Sequence, residues 1–74
     1  MKTKRTARTA LAKNIESYRL EYGMKQTELA KRIGVSQGEI STYENGRAMP
    51  PLQKVVLMCN LFECSMEKFI GFDR

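Results

Sequence analysis

The segment QTELAKRIGVSQGEISTYENG, residues 26–46, constrains the fold more than any other part of this chain. Apolar residues recur at helical spacing in each half of the segment, and Gly34 separates the two halves. A glycine there can take the positive φ of a sharp turn, and the small Ala30 lets another helix approach closely. We therefore expect two short helices that are joined by a tight turn and face one core. The apolar positions are Leu29, Ile33, Val35, Ile40 and Tyr43.

The residues before this segment predict one longer helix. Apolar side chains recur there at spacings of four, three and four residues, which places them on one helix face, and Gly23 then supplies a permissive stop. Within the segment, the second helix is expected over 27–33. The third is expected over about 37–44, with Ser36 as its N-cap and Asn45-Gly46 as its stop. The first apolar face consists of Leu11, Ile15, Tyr18 and Tyr22.

Two further helices are predicted after the segment. Pro50 and Pro51 close the loop that starts at Arg47, and Pro51 suits the first turn of a fourth helix over 52–62. Ser65 is the expected N-cap of a short fifth helix over 66–70. No segment shows the alternation of a strand. The fourth helix is expected to turn Leu52, Val55, Val56 and Cys59 inward.

Together these elements predict an all-α fold, a compact five-helix bundle that contains a helix-turn-helix unit. At 74 residues the chain has the length of one small domain, which we place at residues 9–74. Residues 1–8 are expected to form a flexible basic arm, because four of these eight residues are lysine or arginine.

The charge balance is basic and uneven. Lysines and arginines outnumber aspartates and glutamates by 13 to 8, which gives a net charge of +5. Five basic residues precede the first acidic residue, Glu16. Such an arm is either a solubilising tail or a contact for nucleic acid or another anionic surface. The five residues are Lys2, Lys4, Arg5, Arg8 and Lys13.

The residue types exclude several other functions. The chain has no histidine, and two cysteines, Cys59 and Cys64, cannot form a structural zinc site, so we expect no metal and no cofactor. The two thiols are expected to pack as small apolar groups in a reducing cytosol. An enzyme is not expected, because no nucleophile–base pair and no phosphate-cradling glycine loop is visible. No apolar run approaches the ~20 residues of a membrane span, and no signal-peptide core follows the basic start, so a cytoplasmic protein is expected.

The stretches TELAKRIGVSQGEISTYENG and LFECSMEKFI resemble the phage repressor and Cro family of helix-turn-helix regulators, also called XRE-like. The resemblance covers about residues 11–70. It implies that the helix from Gln37 enters the major groove of double-stranded DNA, and that a homodimer binds an inverted-repeat operator. Independently, the face with Gln37, Gly38, Ser41 and Thr42 is neutral and polar, which suits base edges better than the charges of an ordinary solvated helix. An ordinary αα-hairpin is the alternative.

The resemblance also implies roles for single residues. Gln26 matches a residue that anchors a phosphate through its side chain and the N-terminus of the second helix. Arg19 and Glu44 match a partly buried ion pair between the first and third helices. The implied base contacts are Ser36, Gln37, Gly38 and Thr42. The implied contacts with the DNA backbone are Gln26, Ser41, Asn45, Arg47 and Lys25.

Four positions depart from the family pattern. Lys25 stands where the family often has a serine N-cap, so this helix start relies more on water or phosphate. Gly38 removes a side chain from a base-reading position. Glu39 brings a negative charge near the DNA, where it either rejects phosphates or accepts from a cytosine amino group. Leu57 is apolar where the family is usually polar.

Two classes of function remain open at this point. The first is a sequence-specific DNA-binding transcriptional regulator, with repression as the expected effect. The second is a protein-interaction module of the same fold, such as an antitoxin-like protein. Asn45, Arg47 and the basic arm favour the first. The candidates for a dimer surface are Leu57, Met66, Ile70 and Phe72, although Ile70 and Phe72 can equally cover the core.

Overall fold

The computed structural model describes the backbone of residues 7–71 and the side chains of residues 9–71. This part of the chain consists of five α-helices and contains no strand, so the predicted fold class is confirmed. Of the arm expected over residues 1–8, only the backbone of the last two residues falls within the described range, where it begins α1. The helices are α1 (Ala7–Glu21), α2 (Gln26–Ile33), α3 (Gln37–Glu44), α4 (Leu52–Phe62) and α5 (Met66–Ile70).

Every helix contributes at least one fully buried side chain to a single core. An aromatic cluster joins α1, α4 and α5. In it, Tyr18 stacks on Phe62 with ring centroids 5.5 Å apart, and Phe62 lies 6.0 Å from Phe69. Burying each large apolar side chain stabilises the folded state by about 1.5–3 kcal/mol. Because a small domain buries only a limited part of its surface, all five helices contribute to this core. The largest fully buried side chains are Phe62, Phe69, Leu11, Ile15, Leu29, Ile33, Ile40 and Met58.

The turn between α2 and α3 has the geometry that the sequence predicts. Gly34 adopts a left-handed conformation with φ of 76°, and its N–H donates to the carbonyl of Ala30 at 2.8 Å. The N–H of Val35 donates to the same carbonyl at 3.0 Å. Ala30 itself is buried, so a larger side chain there would separate the helices that pack over it.

The prediction for α4 is wrong at two positions. Leu52 and Val56 are 66% and 40% exposed, and the buried side chains of α4 are Val55, Met58, Cys59 and Phe62. Val56 lies about 100° around the helix from Val55, outside the buried side of α4, and Leu52 lies at the exposed start of the helix. The predicted bounds of α4 are confirmed, but Pro51 is the N-cap residue and not part of the first turn.

The apolar face predicted for α1 is also only partly buried. Leu11 and Ile15 are buried and Tyr18 is half-buried, but Tyr22 is 45% exposed. The Tyr22 hydroxyl donates to the carbonyl of Phe62 at 3.0 Å. The phenol therefore lies along the edge of the core, where its ring contacts Phe62. Its hydroxyl supplies a hydrogen bond to a carbonyl at the C-terminus of α4 that has no partner within the helix.

The C-terminal end of α5 packs tightly against α1. Gly71 has φ of 89°, and a Cβ atom added there would lie 2.6 Å from the Cβ of Ala10. Nearby, the Asn14 side chain donates to the carbonyl of Phe69 at 2.8 Å. The Ser65 side chain accepts from the N–H of Lys68 and caps α5 as predicted. The backbone of α5 thus approaches α1 closely, which requires a glycine at position 71.

Cys59 and Cys64 are free thiols, the first buried and the second half-buried. Burial, with smaller contributions from the charge and hydrogen bonding of Cys64, raises the pKa of Cys59 to about 11. Within residues 9–71, no group of three His, Cys, Asp or Glu side chains is arranged to hold a metal ion. Among the described helices, none has the length and apolar character needed to cross a membrane.

Candidate nucleic-acid interface

Helix α3 is anchored by two buried side chains and exposes a neutral, polar face. Ile40 is fully buried and Tyr43 is 7% exposed, and both pack in the core. On the opposite side, Ser36, Gln37 and Gly38 are exposed, whereas Ser41 and Thr42 are half-buried. The structure therefore brings the predicted base-contacting residues together on one accessible side of α3 and its N-cap.

The N-terminus of α3 is held by a capping box. The Ser36 hydroxyl accepts from the N–H of Glu39 at 3.1 Å, and the Glu39 carboxylate accepts from the N–H of Ser36 at 2.8 Å. Glu39 thus uses one carboxylate oxygen to fix the helix start, a role that the sequence analysis missed. The pattern Ser-x-x-Glu is the sequence signal that predicts this arrangement.

The Thr42 hydroxyl is also committed to the backbone. It donates to the carbonyl of Gly38 at 2.9 Å, four residues earlier in the helix. Because this bond engages the hydroxyl proton, the methyl group becomes the part of Thr42 that an apolar neighbour can contact. Gly38 has no side chain to shield that surface.

A hydrogen bond between two glutamines connects α3 to α2. The Gln37 side-chain amide nitrogen, Nε2, donates to Oε1 of Gln26 at 2.6 Å. Gln26 is half-buried and is the first residue of α2. This contact orients the exposed Gln37 side chain before any ligand is present, and so reduces the side-chain entropy that binding would otherwise cost.

A buried ion pair between Arg19 and Glu44 contacts Gln26. Arg19 of α1 donates from Nε to Oε2 of Glu44 at 2.7 Å and from Nη2 to Oε1 of Glu44 at 3.1 Å. The third arginine nitrogen, Nη1, donates to the carbonyl of Met24 at 2.8 Å. The two side chains are only 9% and 5% exposed, and the hydrogen bond with Glu44 is the main reason that the pKa of Arg19 is raised.

Gln26 links this ion pair to the surface of α3. Its Nε2 donates to Oε1 of Glu44 at 2.9 Å, while its Oε1 accepts from Gln37. A continuous series of hydrogen bonds therefore runs from Arg19 through Glu44 and Gln26 to Gln37. Among residues 9–71, every buried side-chain nitrogen and oxygen has a hydrogen-bond partner, as a polar network inside a small core requires.

The remaining predicted contacts lie at two ends of this surface. Lys25 is exposed and occupies the N-cap position of α2, where no side chain among the described residues caps the helix. At the C-terminal end of α3, Asn45 and Arg47 are exposed. The N–H groups at the start of α2 and the cation of Lys25 form one region suited to an anion. Arg47 places another cation after the end of α3.

A comparison with protein families identifies the family of this chain. The helix-turn-helix family model matches residues 15–69, which span α2 and α3 and most of the core. This chain belongs to the helix-turn-helix family. The resemblance to the repressor and Cro type is confirmed.

Related proteins share this helix-turn-helix sequence. The chain is 31% identical over 64 residues to antitoxin PezA of Streptococcus pneumoniae serotype 4, which covers 86% of this chain and 40% of PezA. It is 36% identical over 59 residues to an HTH-type transcriptional regulator of Archaeoglobus fulgidus. That alignment covers 80% of this chain and 84% of the regulator. It is 40% identical over 50 residues to the ImmF control region 10 kDa protein of Bacillus phage phi105. That alignment covers 64% of this chain and 56% of the phage protein. The chain thus spans less than half the length of PezA but most of the archaeal regulator.

Solved structures share the helix-turn-helix fold. The P22 c2 repressor in complex with a synthetic operator superposes with a TM-score of 0.78 at 24% identity, over 85% of this chain and 96% of that chain. The clp gene regulator ClgR of Corynebacterium glutamicum superposes with a TM-score of 0.83 at 26% identity, over 93% and 73%. Both likenesses agree with the five-helix architecture.

Proposed function

We propose that this helix-turn-helix protein is a sequence-specific transcriptional regulator that binds double-stranded DNA, with α3 in the major groove. The observation that carries the proposal is the Gln26–Gln37 hydrogen bond on the exposed face of α3, because it fixes a base-reading side chain on a rigidly anchored helix. The neutral character of this face supports the proposal further, since base edges are read by uncharged donors and acceptors as well as by arginine.

Gln37 retains the groups needed to recognise adenine. Its amide nitrogen carries two hydrogens, and one of them is donated to Gln26. The second hydrogen and Oε1 can form the two bonds that a glutamine makes with N7 and N6 of adenine. Thr42 adds a methyl group that can contact a thymine methyl, and Gly38 leaves room for the bases to approach. We expect Ser36 to complete the base-contacting set.

Two groups of residues would hold the DNA backbone on either side of α3. At one end, the N–H groups of the first two residues of α2 and the cation of Lys25 would bind a phosphate beside Gln26. At the other end, Ser41, Asn45 and Arg47 would bind the adjoining backbone. The basic residues of the N-terminal arm are proposed to add sequence-independent attraction to phosphates.

A single reading helix contacts only a few base pairs, so we propose that two copies bind an inverted repeat. The two α3 helices would then lie ~34 Å apart, on half-sites about one helical turn apart. Occupation of such an operator in the cytoplasm would repress transcription by blocking access to the DNA.

The likeness to antitoxin PezA favours a second candidate, an antitoxin-like protein that binds a partner protein. It covers 86% of this chain, including the whole helix-turn-helix unit. The two candidates differ in what α3 contacts. A protein partner for a basic chain would be acidic, whereas the exposed amides of α3 and the cations beside it match bases and phosphates.

Selection of bound duplexes from a random library with the full chain tests the proposal. We expect an inverted repeat to be enriched, and Gln37→Ala to lose preference at one position of each half-site. Arg47→Ala is the matched comparison, because loss of a phosphate contact weakens all duplexes alike and reduces the salt slope by about 1. Removal of residues 1–6 should likewise reduce that slope. Failure to enrich any sequence would reject the DNA-reading function and favour the antitoxin-like candidate.

A further inference from the structure

The two cysteines of this chain lie at the two ends of the turn that closes α4. Cys59 is buried near the end of α4, and Cys64 is half-buried directly before the N-cap of α5. The N–H of Cys64 donates to the carbonyl of Cys59 at 3.1 Å, and the N–H of Glu63 donates to the carbonyl of Asn60 at 3.3 Å. These two bonds form a Schellman motif, which brings together the side chains at its ends.

The Schellman motif places the two thiols within reach of each other. The main-chain bond between Cys64 and Cys59 keeps their Cα atoms no more than about 7 Å apart, close to the ~4.4–6.8 Å that a disulfide spans. The thiols also share a hydrogen bond, and both side chains lie against the core. Formation of a disulfide therefore requires only a small adjustment of the two side chains.

The backbone between the two cysteines holds an uncommon conformation. Glu63 has φ of 54°, and among residues 7–71 it is the only residue other than glycine with a positive φ. A glycine usually occupies this position of the motif, because a Cβ atom makes the left-handed conformation costly. Strain of this kind persists where the surrounding structure holds it in place. A covalent link between Cys59 and Cys64 would close the short loop that contains Glu63 and hold this conformation.

An ordinary apolar contact is the simplest role for the two thiols, because the ends of a Schellman motif often carry apolar side chains that pack together. Two aliphatic residues would serve that role equally well. In this chain both ends carry a cysteine, and no other position of the 74 does. Two thiols in contact can be joined by oxidation, which aliphatic side chains cannot.

We infer that Cys59 and Cys64 form a redox site, at which a small-molecule disulfide such as oxidised glutathione converts the two thiols into a disulfide within one chain. Cys64 reacts first, because it is the more accessible thiol. Its thiolate attacks one sulfur of the small disulfide, so that a mixed disulfide forms and one small thiolate leaves. Burial raises the pKa of Cys59 to about 11, which keeps that thiol protonated at neutral pH and unsuited to the first step.

Cys59 completes the reaction. It loses its proton to a base in the solvent and attacks the sulfur of Cys64, and the second small thiolate leaves and takes up a proton. Two protein thiols are thereby oxidised to one disulfide, and one small disulfide is reduced to two small thiols. An excess of the small thiol reverses both steps, so the ratio of small disulfide to small thiol sets the state of the redox site.

The disulfide would fasten the corner at which α4 meets α5. Phe62 lies between the two cysteines in sequence, and its ring belongs to the aromatic cluster with Tyr18 and Phe69. Because a disulfide restricts the unfolded chain, closing this loop is expected to stabilise the fold around that cluster. The redox site lies outside α3, so binding of one DNA half-site is expected to stay the same.

Closure within one chain needs none of the four residues that the sequence suggested for a dimer. Leu57 is 43% exposed on α4, and Met66 and Ile70 are half-buried in α5. Phe72 lies outside the described residues. The redox site is therefore independent of the proposed pairing on DNA.

Equilibration of the full chain with a series of ratios of oxidised to reduced glutathione tests the redox site. Mass spectrometry after rapid alkylation should show a native product that has lost two hydrogens and carries no glutathione. The equilibrium constant for disulfide formation should be about tenfold or more above that of the same chain in urea, because the fold holds the thiols together. A native value equal to the value in urea, a retained glutathione or a link between two chains would overturn the redox site.

Two variants and one stability measurement complete the test. Cys59→Ala should stop at the glutathione adduct of Cys64, whereas Cys64→Ala should stay unmodified because Cys59 is only 6% exposed. An adduct on Cys59 in the folded Cys64→Ala variant would contradict the order of the two steps. The oxidised parent chain should unfold about 5 °C or more above the reduced chain, the shift that a tenfold change produces at this length. A lower unfolding temperature after oxidation would show that the fold opposes the disulfide.

Discussion

Arg19 and Glu44 are joined by two hydrogen bonds, at 2.7 and 3.1 Å, which tie α1 to the last residue of α3. Both side chains are more than nine-tenths buried, so the pair holds α3 against the core through charges that water screens little. The carboxylate of Glu44 also accepts from Gln26. A change at Glu44 therefore affects the stability of the fold and the orientation of Gln26 and Gln37 together.

Removing Glu44 is the first prediction. Glu44→Ala leaves the Arg19 cation buried without its carboxylate, which typically costs about 3–5 kcal/mol. A domain of this size has only ~3–5 kcal/mol of net stability, so the variant should be largely unfolded at 25 °C. Urea unfolding followed by circular dichroism measures the effect. Glu28→Ala is the control, because it breaks an exposed pair with Arg32 and should change the unfolding free energy by less than about 1 kcal/mol.

The second prediction concerns the buried thiol of Cys59. Its pKa is about 11 in the folded protein, above the ordinary value of 9.0. At a pH between these values the unfolded chain releases this proton and the folded chain keeps it, so stability should fall as the pH rises from 9 to 11. The full difference corresponds to about 2–3 kcal/mol. Below pH 9 the thiol should contribute no pH dependence.

Two cysteine variants test that assignment. Cys59→Ala should lose this part of the alkaline dependence when the unfolding free energy is measured at pH 8, 9, 10 and 11. Cys64→Ala should keep most of it, because burial is the largest cause of the raised pKa and Cys64 contributes less. An equal alkaline slope in Cys59→Ala and the parent chain would show that other groups, such as Tyr43 with its raised pKa, are responsible.

The third prediction compares two glycines of similar conformation. Gly71 and Gly23 have φ of 89° and 69°, so an alanine at either position bears the backbone cost of about 1 kcal/mol. At Gly71 the new Cβ would also lie 2.6 Å from the Cβ of Ala10, whereas at Gly23 nothing lies within 4 Å. Gly71→Ala should therefore destabilise by about 1–3 kcal/mol more than Gly23→Ala. Equal losses in thermal unfolding would contradict the close approach of α5 to α1.

Local rules explain why much of the fold could be predicted from the sequence. The left-handed turn at Gly34, the cap at Ser36 and the cap at Ser65 depend on residues within one turn of each other. The burial of Ile40 and Tyr43 follows from helical periodicity, which also predicts that Gln37 and Gly38 are exposed on the other side of α3.

Long-range packing explains what the sequence could not predict. Leu52 and Val56 are apolar like the buried side of α4, and only the position of the neighbouring helices shows that they face outward. The bond from Gln26 to Glu44 joins residues 18 positions apart, and the bond from Lys54 to Ile33 joins residues 21 apart. Polar contacts at such separations have no periodic signal, so they become visible only when the helices are in place.

The last prediction concerns the Gln26–Gln37 hydrogen bond. Gln37→Ala should weaken binding to the selected operator by about 1–3 kcal/mol and should change non-specific binding little, because it removes the proposed base contact. Gln26→Ala should also reduce selectivity, because Gln37 then loses the partner that orients it at 2.6 Å. Since Gln26→Ala also removes a donor to Glu44, the unfolding free energy of each variant must be measured beside its affinity.

A double-mutant cycle isolates the contact between the two glutamines. If Gln26 acts through Gln37, the double variant should bind the operator about as weakly as Gln37→Ala alone, with a coupling energy of about 0.5–3 kcal/mol. If Gln26 contacts only phosphate, the two losses should add, and Gln26→Ala should weaken specific and non-specific duplexes equally. Fluorescence anisotropy with the operator and a scrambled duplex, at one fixed salt concentration, distinguishes these results. Additive losses would mean that the bond at the surface of α3 does not position Gln37 for base recognition.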